Sequence, residues 1–380
     1  MRRRNLARVA RVIRDQPGVH LSEVVTRTGL ASGSVTSLVN ALVKAEVVHE
    51  EATKETAGRG RPRRTLALAD RWADLVAVRL TRTGIEARAT TLAGRVLASR
   101  GQESRSGWST AAAAGAIAEL IDDVLGDHRR PGGVPFCTVS LPGVSHGGKL
   151  GATELSWNDI PAAELLEPLH SRHRRIEIRN DGNLATLAEW RVGVAQGVKN
   201  AAVILLGRGL GGSAIIDGHL FHGNGSPYGF GHTPVNPAGP ACVCGLHGCI
   251  ELYSSLQALA RRLGEASRLN EMTSSDYARE LDERAKRAEP EVLLALHDAQ
   301  DRLREFCDLI GALLTPDVIV VTGQSAVLAP YLITDRVGSA GIPVLHGALG
   351  ADAAIIGATL AAQERALSNP LSLASVGVEE

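Results

Sequence analysis

The chain has 380 residues, 44% of them hydrophobic, and its 41 basic side chains balance its 41 acidic ones. This length exceeds what one hydrophobic core usually holds, so we expect two or three domains. No run of 18 apolar residues is present to span a membrane, and the basic N-terminus lacks the apolar stretch of a secretory signal. With five cysteines, three of them clustered, the composition favours a cytoplasmic protein without a disulfide framework.

The N-terminal segment predicts three helices. Residues 4–16 have apolar side chains at helical spacing, and a Pro-Gly pair ends this first helix. Ser22 and Ser32 are good N-caps for a second and a third helix. Because only a short glycine-containing turn separates these two helices, the pattern indicates a helix-turn-helix.

The third predicted helix has an outward face of short polar side chains near its start. Such side chains can approach base edges and phosphates in the major groove of DNA. The residues predicted to contact DNA from this helix are Ser32, Ser34, Thr36, Ser37 and Asn40. A helical bundle that binds a protein, or a solvated helix face, would show the same pattern, so the helix alone leaves these alternatives open.

A basic, glycine-rich segment follows between two short apolar runs. It reads Gly-Arg-Gly-Arg-Pro-Arg-Arg over residues 58–64, and it predicts the tip of a β-hairpin wing. Arg59 and Arg61 on such an extended tip suit a narrow minor groove or its flanking phosphates. Residues 1–72 hold 14 basic against 7 acidic side chains, so the positive charge is concentrated in this head. Helix, wing and charge together favour double-stranded DNA as its partner.

From residue 75 onward, predicted strands alternate with predicted helices. The strands are residues 75–80, 85–91, 95–98, 136–141, 176–178, 201–206 and 318–321. The helices are residues 110–126 and 291–314. This order is typical of an α/β fold.

His232 and three cysteines form the most distinctive motif of the chain, H-x9-C-x-C-x4-C. The cysteines are Cys242, Cys244 and Cys249, and nearby glycines and prolines let a short segment fold round one ion. Three thiolates and one imidazole complete a tetrahedral structural zinc site. The alternative is a group of buried thiols that behave as small apolar side chains. His247 is interpreted as a surface residue rather than a further ligand.

This segment resembles the zinc signature of the ROK family of repressors, open reading frames and sugar kinases. The signature runs Glu-x-Gly-His and then Cys-x-Cys-Gly-x-x-Gly-Cys-x-Glu. The chain matches it from Gly231 to Glu251, but Gly229 occupies the position of the first Glu. The basic head, with its Gly-Arg-Pro turn, resembles the DNA-binding head of the ROK repressors.

The resemblance implies an N-terminal winged helix-turn-helix followed by a two-lobed actin-like (ribonuclease H-like) ATPase or sugar kinase fold. Residues 1–72 would form the DNA-binding domain. Residues 73–190 and 191–363 would form the two lobes, with the zinc loop in the second and a ligand cleft between them. Residues 364–380 would be a C-terminal tail.

The resemblance also implies ligand-binding residues. Asn180, His232 and Glu251 stand where the family contacts sugar hydroxyls, and Asp181 stands where it places the general base. His232 would bind zinc through one ring nitrogen and present the other to a ligand. Gly229 lacks the carboxylate of the family, which removes hydrogen bonds to an ordinary hexose or leaves room for a bulkier or phosphorylated one.

The phosphate loops predict that the chain is not an enzyme. Arg79 occupies the Asp position of the family's Asp-x-Gly-Gly-Thr loop, which reverses the charge that magnesium requires. Both glycines of that loop are missing, so the backbone cannot approach a phosphate closely. Arg208 stands where kinases usually have Thr and would favour an anionic ligand, and Gln324 stands where the family often has Gly. Asp181 would then be a vestigial base.

The expected function is that of a transcriptional repressor controlled by a sugar or sugar-phosphate effector. A homodimer or homotetramer would bind an inverted-repeat operator with one recognition helix per half-site. Two alternatives stay open: an effector-independent or protein-controlled regulator, and an active ATP-dependent sugar kinase that carries a DNA-binding head.

Overall fold

The computed structural model of the chain describes residues 1–52, 64–104, 107–222, 229–333, 335–337 and 341–373. The head begins the chain, and its elements pack round one apolar cluster. In chain order they are α1 (Arg2–Asp15), β1 (Val19–His20), α2 (Leu21–Thr28), α3 (Ser32–Lys44), β2 (Val48–Ala52) and β3 (Arg64–Leu68). The strands form an antiparallel sheet in the order β1-β3-β2, so the described part of the head has the arrangement of a winged helix.

The helix boundaries in the head differ slightly from those predicted. The second helix begins at Leu21, and the N–H of His20 donates to Glu23 at 3.0 Å, so Ser22 lies inside the helix instead of capping it. Ala31 is the N-cap of α3, and Ser32 is its first helical residue. Gly29 ends α2 with a left-handed φ of 62°, a conformation that glycine adopts without strain.

The first lobe is a mixed five-stranded sheet with helices on both faces. Its elements are β4 (Leu75–Leu80), β5 (Gly84–Thr90), β6 (Val96–Glu103), α4 (Thr110–Leu125), β7 (Phe136–Leu141), β8 (Val144–His146), β9 (Lys149–Ala152), β10 (Trp157–Pro161), α5 (Ala162–Arg172), β11 (Ile176–Asn180) and α6 (Asp181–Val192). The strand order is β11-β7-β4-β5-β6, and β8, β9 and β10 form a small separate sheet. Parallel pairing of β4, β7 and β11 brings their carboxyl ends to one edge.

The second lobe is built on a six-stranded sheet and a larger set of helices. Its elements are β12 (Ala201–Leu206), β13 (Leu210–Ile216), β14 (His219–Leu220), α7 (Glu251–Ser254), α8 (Leu256–Arg262), α9 (Ala266–Glu271), α10 (Ser274–Lys286), α11 (Pro290–Leu314), β15 (Val318–Thr322), α12 (Ala329–Leu332), β16 (Arg336–Val337) and β17 (Ile342–His346). The strand order is β14-β13-β12-β15-β17-β16. The central strands are buried on both faces, which explains their continuous apolar runs.

The last helix, α13 (Ala353–Ser368), returns to the first lobe. It packs beside α6 on one face of the five-stranded sheet, where Ala77 meets Ile355 and Ala358, while α4 and α5 cover the other face. The helix continues through Glu364, at which the predicted C-terminal tail begins. None of the described helices has the length and apolarity that crossing a membrane requires.

The head and the first lobe share an apolar cluster. Val9 and Ile13 of α1 lie in one group of buried residues with Leu75, Phe136 and Ala366 of the body. The described head is therefore packed against the body rather than separated from it by a flexible linker.

Two sets of ionic contacts also stabilise the packing of the head against the body. Arg130 binds both carboxylate oxygens of the buried Asp74 at 2.7 and 2.8 Å and also the backbone carbonyl of Glu46. Removing one partner of such a buried pair usually costs about 3–5 kcal/mol. Glu364 of α13 accepts hydrogen bonds from Arg11 at 2.7 Å and Arg14 at 2.6 Å, so the end of α13 is tied directly to α1.

Candidate functional site

The predicted metal ligands come together in a compact loop. The side-chain donor atoms of His232, Cys242, Cys244 and Cys249 all lie within 4.8 Å of one another. Cys242 Sγ is 3.4 Å from His232 Nδ1, and Cys244 Sγ is 3.6 Å from Cys249 Sγ. These separations and this donor set fit the tetrahedral coordination of a zinc ion with ligands at roughly 2.0–2.3 Å.

The glycines of the loop are required by its tight path. Gly248 has a φ of 62°, and a Cβ atom at this position would lie 1.7 Å from the carbonyl oxygen of Asn236. Any other residue would therefore displace the backbone next to Cys249 and spread the ligand set. His247 is exposed and its Nδ1 lies 3.2 Å from the carbonyl oxygen of Gly239, so its side chain is engaged outside the ligand cluster.

The four predicted ligand-binding residues all line one cleft between the lobes. This cleft has a volume of about 1240 Å³. Its walls include Asn180, Asp181, His232 and Glu251. Glu251 opens α7 directly after the metal loop, and its Oε2 accepts a hydrogen bond of 3.2 Å from the N–H of Leu210 in the glycine-rich turn. The metal loop thus supports the cleft wall.

Asn180 and Asp181 lie where β11 enters α6. Asn180 is the N-cap of α6, with Oδ1 accepting from the N–H of Asn183 at 2.9 Å, and its Nδ2 donates to Gly143 O at 2.8 Å. Asp181 Oδ1 accepts from the N–H of Gly182 at 2.8 Å. Burial, and then the carboxylate of Glu154, raise the pKa of Asp181 to about 7.

Glu154 is a further cleft residue, which the sequence did not predict. It follows β9 in a short helical turn, and its Oε1 accepts from the N–H of Arg82 at 3.2 Å. Burial raises its pKa above the usual range of a glutamate. No sequence pattern singles out this carboxylate, because only the folded hairpin brings it beside Asp181.

The raised pKa of Asp181 predicts a pH-dependent effect of Asp181→Asn. The pKa of an ordinary aspartate is near 3.8, whereas the pKa of Asp181 in the folded protein is about 7. Proton binding by Asp181 therefore stabilises the folded state fully below pH 3.8, and this stabilisation is lost as the pH rises through 7. We therefore expect the variant to melt at a higher temperature than the parent at pH 8, with a difference that shrinks at pH 5. Thermal unfolding at both pH values measures this, and Asp159→Asn, an exposed carboxyl of the same cleft, is the control. A gain of equal size at both pH values would contradict the assignment.

Arg79 lies at the position of the first phosphate loop and links the first-lobe sheet to the start of α13. Its Nη1 donates to the carbonyl of Ala351, which precedes α13, and its Nη2 donates to Glu86 on the neighbouring strand at 2.7 Å. Arg88 joins the same Glu86 at 2.7 Å and reaches Asp352 at 2.8 Å. A guanidinium in this position repels a magnesium ion and occupies part of the space beside the sheet edge.

The other residues that differ from the family pattern, Arg208, Gln324 and Gly229, also have defined positions in the structure. Arg208 is buried, and its guanidinium donates to Leu269 O at 3.1 Å and to the side chain of Asn270 within the second lobe. Gln324 lines the cleft. Gly229 lines it too, and among the described residues a Cβ atom there would meet nothing within 4 Å.

The head places its polar helix face towards solvent. The five predicted contact residues of α3 are all exposed: Ser32, Ser34, Thr36, Ser37 and Asn40. The opposite side of α3 is buried through Val35, Leu38 and Leu42. Arg59 and Arg61 of the predicted wing tip lie outside the described residues.

The chain thus combines a winged-helix head with a two-lobed body of the actin-like, sugar kinase type of fold, and this body carries a cysteine–histidine cluster. The chain belongs to the ROK family, whose model matches residues 75–374. The resemblance inferred from the metal segment is thereby confirmed, and so is the predicted fold class.

Individual relatives include both regulators and kinases. The chain is 27% identical to the DNA-binding transcriptional repressor Mlc of Escherichia coli over 251 residues, which are 65% of this chain and 61% of the repressor. It is 34% identical over 151 residues to a glucokinase of Halalkalibacterium halodurans, covering 38% of this chain and 45% of the kinase. The matches thus span less than two thirds of either relative.

A solved structure extends the likeness to the head. The crystal structure of a ROK family transcriptional regulator, described as a homologue of the E. coli MLC protein, superimposes with a TM-score of 0.74. The alignment covers 98% of both chains at 21% identity. At this identity the likeness establishes a shared fold.

Proposed function

We propose that the chain is a DNA-binding transcriptional regulator, a repressor, whose cleft binds a sugar or sugar derivative without phosphorylating it. The placement of Arg79 carries this proposal. Phosphoryl transfer needs a magnesium-bound nucleotide beside the general base, and a guanidinium linked to Glu86 and Ala351 opposes the binding of that metal ion. Within this proposal, the head of residues 1–72 binds an inverted-repeat operator as part of a homodimer or homotetramer in the cytoplasm.

The exposed face of α3 supports the DNA-binding part. Its polar side chains are free to enter a major groove, while the apolar side holds the helix against the rest of the head. The ROK regulator of known structure aligns with both head and body over 98% of each chain, and Mlc is a relative named as a DNA-binding transcriptional repressor.

Helix α13 supports the regulatory part, because it connects the cleft to the head. Ala354 in its first turn lines the cleft, and Glu364 near its end holds Arg11 and Arg14 of α1. A ligand that favours one closure of the lobes would move this helix and with it the head. The orientation of the two heads in an oligomer, and hence operator affinity, would then depend on the ligand.

Zinc has a structural role in this proposal. Bound by His232 and the three cysteines, it would hold the loop that carries the cleft residues His232 and Glu251, and it would supply no catalytic chemistry. All four positions would be filled by protein ligands, so no coordination site is left open for a substrate.

The test begins with selection of genomic DNA fragments by the purified full chain. Fluorescence anisotropy on a selected fragment, with and without sugars and sugar derivatives, then measures whether a ligand changes operator affinity. A parallel assay with ATP, magnesium and the same sugars measures phosphorylation. Turnover of any sugar would overturn the non-enzymatic assignment, and failure to bind every duplex at low ionic strength would overturn the regulator assignment.

A further inference from the structure

A buried serine lies between two arginines on the floor of the cleft. The parallel register places Arg79 of β4 and Arg179 of β11 directly opposite Ser140 of β7, one on each side. Because neighbouring residues in a parallel register point to the same face of a sheet, the three side chains form one row. All three line the cleft at the carboxyl edge of the first-lobe sheet.

The hydroxyl of Ser140 is in an unusual state for a buried group. The residue is 0% exposed, and its Oγ has no hydrogen-bond partner among the described residues. A buried hydroxyl without a hydrogen-bond partner costs free energy, so its position at a cleft calls for a partner that binds there. A ligand atom that accepts a hydrogen bond from the floor of the cleft would satisfy this group.

The flanking arginines have donors to offer the same ligand. Each guanidinium carries five N–H groups. Arg79 uses two of its donors on Ala351 O and Glu86, and Arg179 binds Glu177 through Nε and Nη2. These contacts set the direction of both side chains and leave further N–H groups for an anion. The N-terminus of the 16-residue helix α13, whose Ala354 lines the cleft, adds the positive end of a helix dipole.

The row adjoins the predicted sugar-binding residues. Arg179 immediately precedes Asn180 and Asp181, and all three line the same cleft. A single ligand can therefore contact the row with an anionic substituent while its hydroxyls meet Asn180. The cleft volume of about 1240 Å³ is ample for such a molecule.

We propose that Arg79, Ser140 and Arg179 form a phosphate subsite, and that the effector is a phosphorylated sugar. This inference rests on the proposed function and specifies its ligand. Phosphate has several acceptor oxygens, so one group can bind two guanidinium groups and a hydroxyl at once. A phosphate bound in this subsite would lie next to Ala351 and Ala354 and could shift the start of α13, the helix that leads to the head.

Isothermal titration of the full chain tests the subsite. The ligands are hexoses and aminohexoses, each paired with its 6-phosphate, and inorganic phosphate alone. We expect at least one sugar phosphate to bind about tenfold more tightly than its free sugar, since charge-assisted hydrogen bonds are worth a factor of roughly 10 or more each. In Ser140→Ala and Arg179→Gln, the ratio of the affinity for the sugar phosphate to the affinity for the free sugar should fall towards one. The affinity for the free sugar itself should stay unchanged.

The variants are chosen to keep the fold. Ser140→Ala removes a hydroxyl that has no partner in the described structure, so its melting temperature should equal or exceed that of the parent. Arg179→Gln leaves Glu177 paired with Arg365 at 3.4 Å and with Thr138 at 3.1 Å. Arg88→Gln is the matched control, because Arg88 shares Glu86 with Arg79 but does not line the cleft. It should keep the full preference.

The outcomes separate this inference from the proposed function. If free sugars and their phosphates bind equally and both change operator affinity, the phosphate subsite is wrong and the sugar-controlled regulator stands. Binding of inorganic phosphate without any added affinity from the sugar would also overturn the sugar-phosphate assignment. If no sugar or sugar phosphate binds or alters operator affinity, this inference and the effector part of the proposed function both fall. An undiminished preference in Arg179→Gln and Ser140→Ala would exclude this row as its source.

Discussion

Replacing Cys244 with alanine is expected to abolish stoichiometric zinc binding and the response to effector together. The four ligand atoms lie within 4.8 Å of one another, and loss of one thiolate leaves an open, weakened site. Structural zinc contributes about 10–16 kcal/mol in small zinc-binding peptides, so the loop is expected to lose its fold when the ion leaves. His232 and Glu251 would then no longer be held in the cleft wall.

Metal analysis of the purified chain and ligand-induced shifts of the melting temperature measure this result. Cys307→Ala is the matched control, because Cys307 is a buried thiol of α11 that lies outside the ligand cluster. It should retain one zinc ion per chain and the full effector response. A Cys244→Ala protein with unchanged zinc content would refute the ligand assignment, and one without zinc that still responds to effector would refute the supporting role of the loop.

Replacing Ser37 with glutamate is expected to weaken operator binding by about 100-fold, which corresponds to roughly 3 kcal/mol. Ser37 is exposed on the polar face of α3, so the new carboxylate would face the bases and phosphates of the groove. It would lose a polar contact and repel the polyanion at the same time. Because the side chain points to solvent, the fold of the head should be unaffected.

Fluorescence anisotropy with a selected operator, together with circular dichroism to verify folding, measures this effect. Ser99→Glu adds the same charge at an exposed position on β6, the edge strand of the first lobe, and should bind DNA as the parent does. Equal operator affinity of the Ser37 and Ser99 variants would show that α3 does not read the DNA.

Local patterns were sufficient for the elements whose residues are near neighbours in sequence. The helices of the head follow from apolar spacing and a glycine turn, although both N-caps lie one or two residues earlier than predicted. Capping depends on the backbone path into the helix, and several residue types can serve, so the exact cap is weakly encoded. Strand β6 extends to Glu103, beyond the predicted end at residue 98. The additional residues are mostly polar and exposed, and pairing with β5 holds them in the strand.

Charge reversal at Arg79 could be recognised from the sequence, but its partners could not. The sequence shows an arginine in a phosphate-loop position. The contact with Glu86 arises from the register of the β4–β5 hairpin, and the contact with Ala351 depends on the return of the chain from the second lobe. Arg208 illustrates the opposite case. Its position in the sequence predicts an arginine that favours an anionic ligand, whereas in the structure its guanidinium donates to Leu269 and Asn270 of its own lobe.

The sequence by itself determined the family, the α/β fold class and the cysteine–histidine cluster that could hold a metal ion, because each depends on residues at short, defined spacing. His232 and the three cysteines lie within 18 consecutive positions, so one loop can bring them together. Only the tertiary structure decided which distant residues meet. The row of Arg79, Ser140 and Arg179 arises from strand register, and Glu364 meets Arg11 across 353 positions of sequence. Such contacts depend on the packing of whole elements, and no local periodicity encodes that packing.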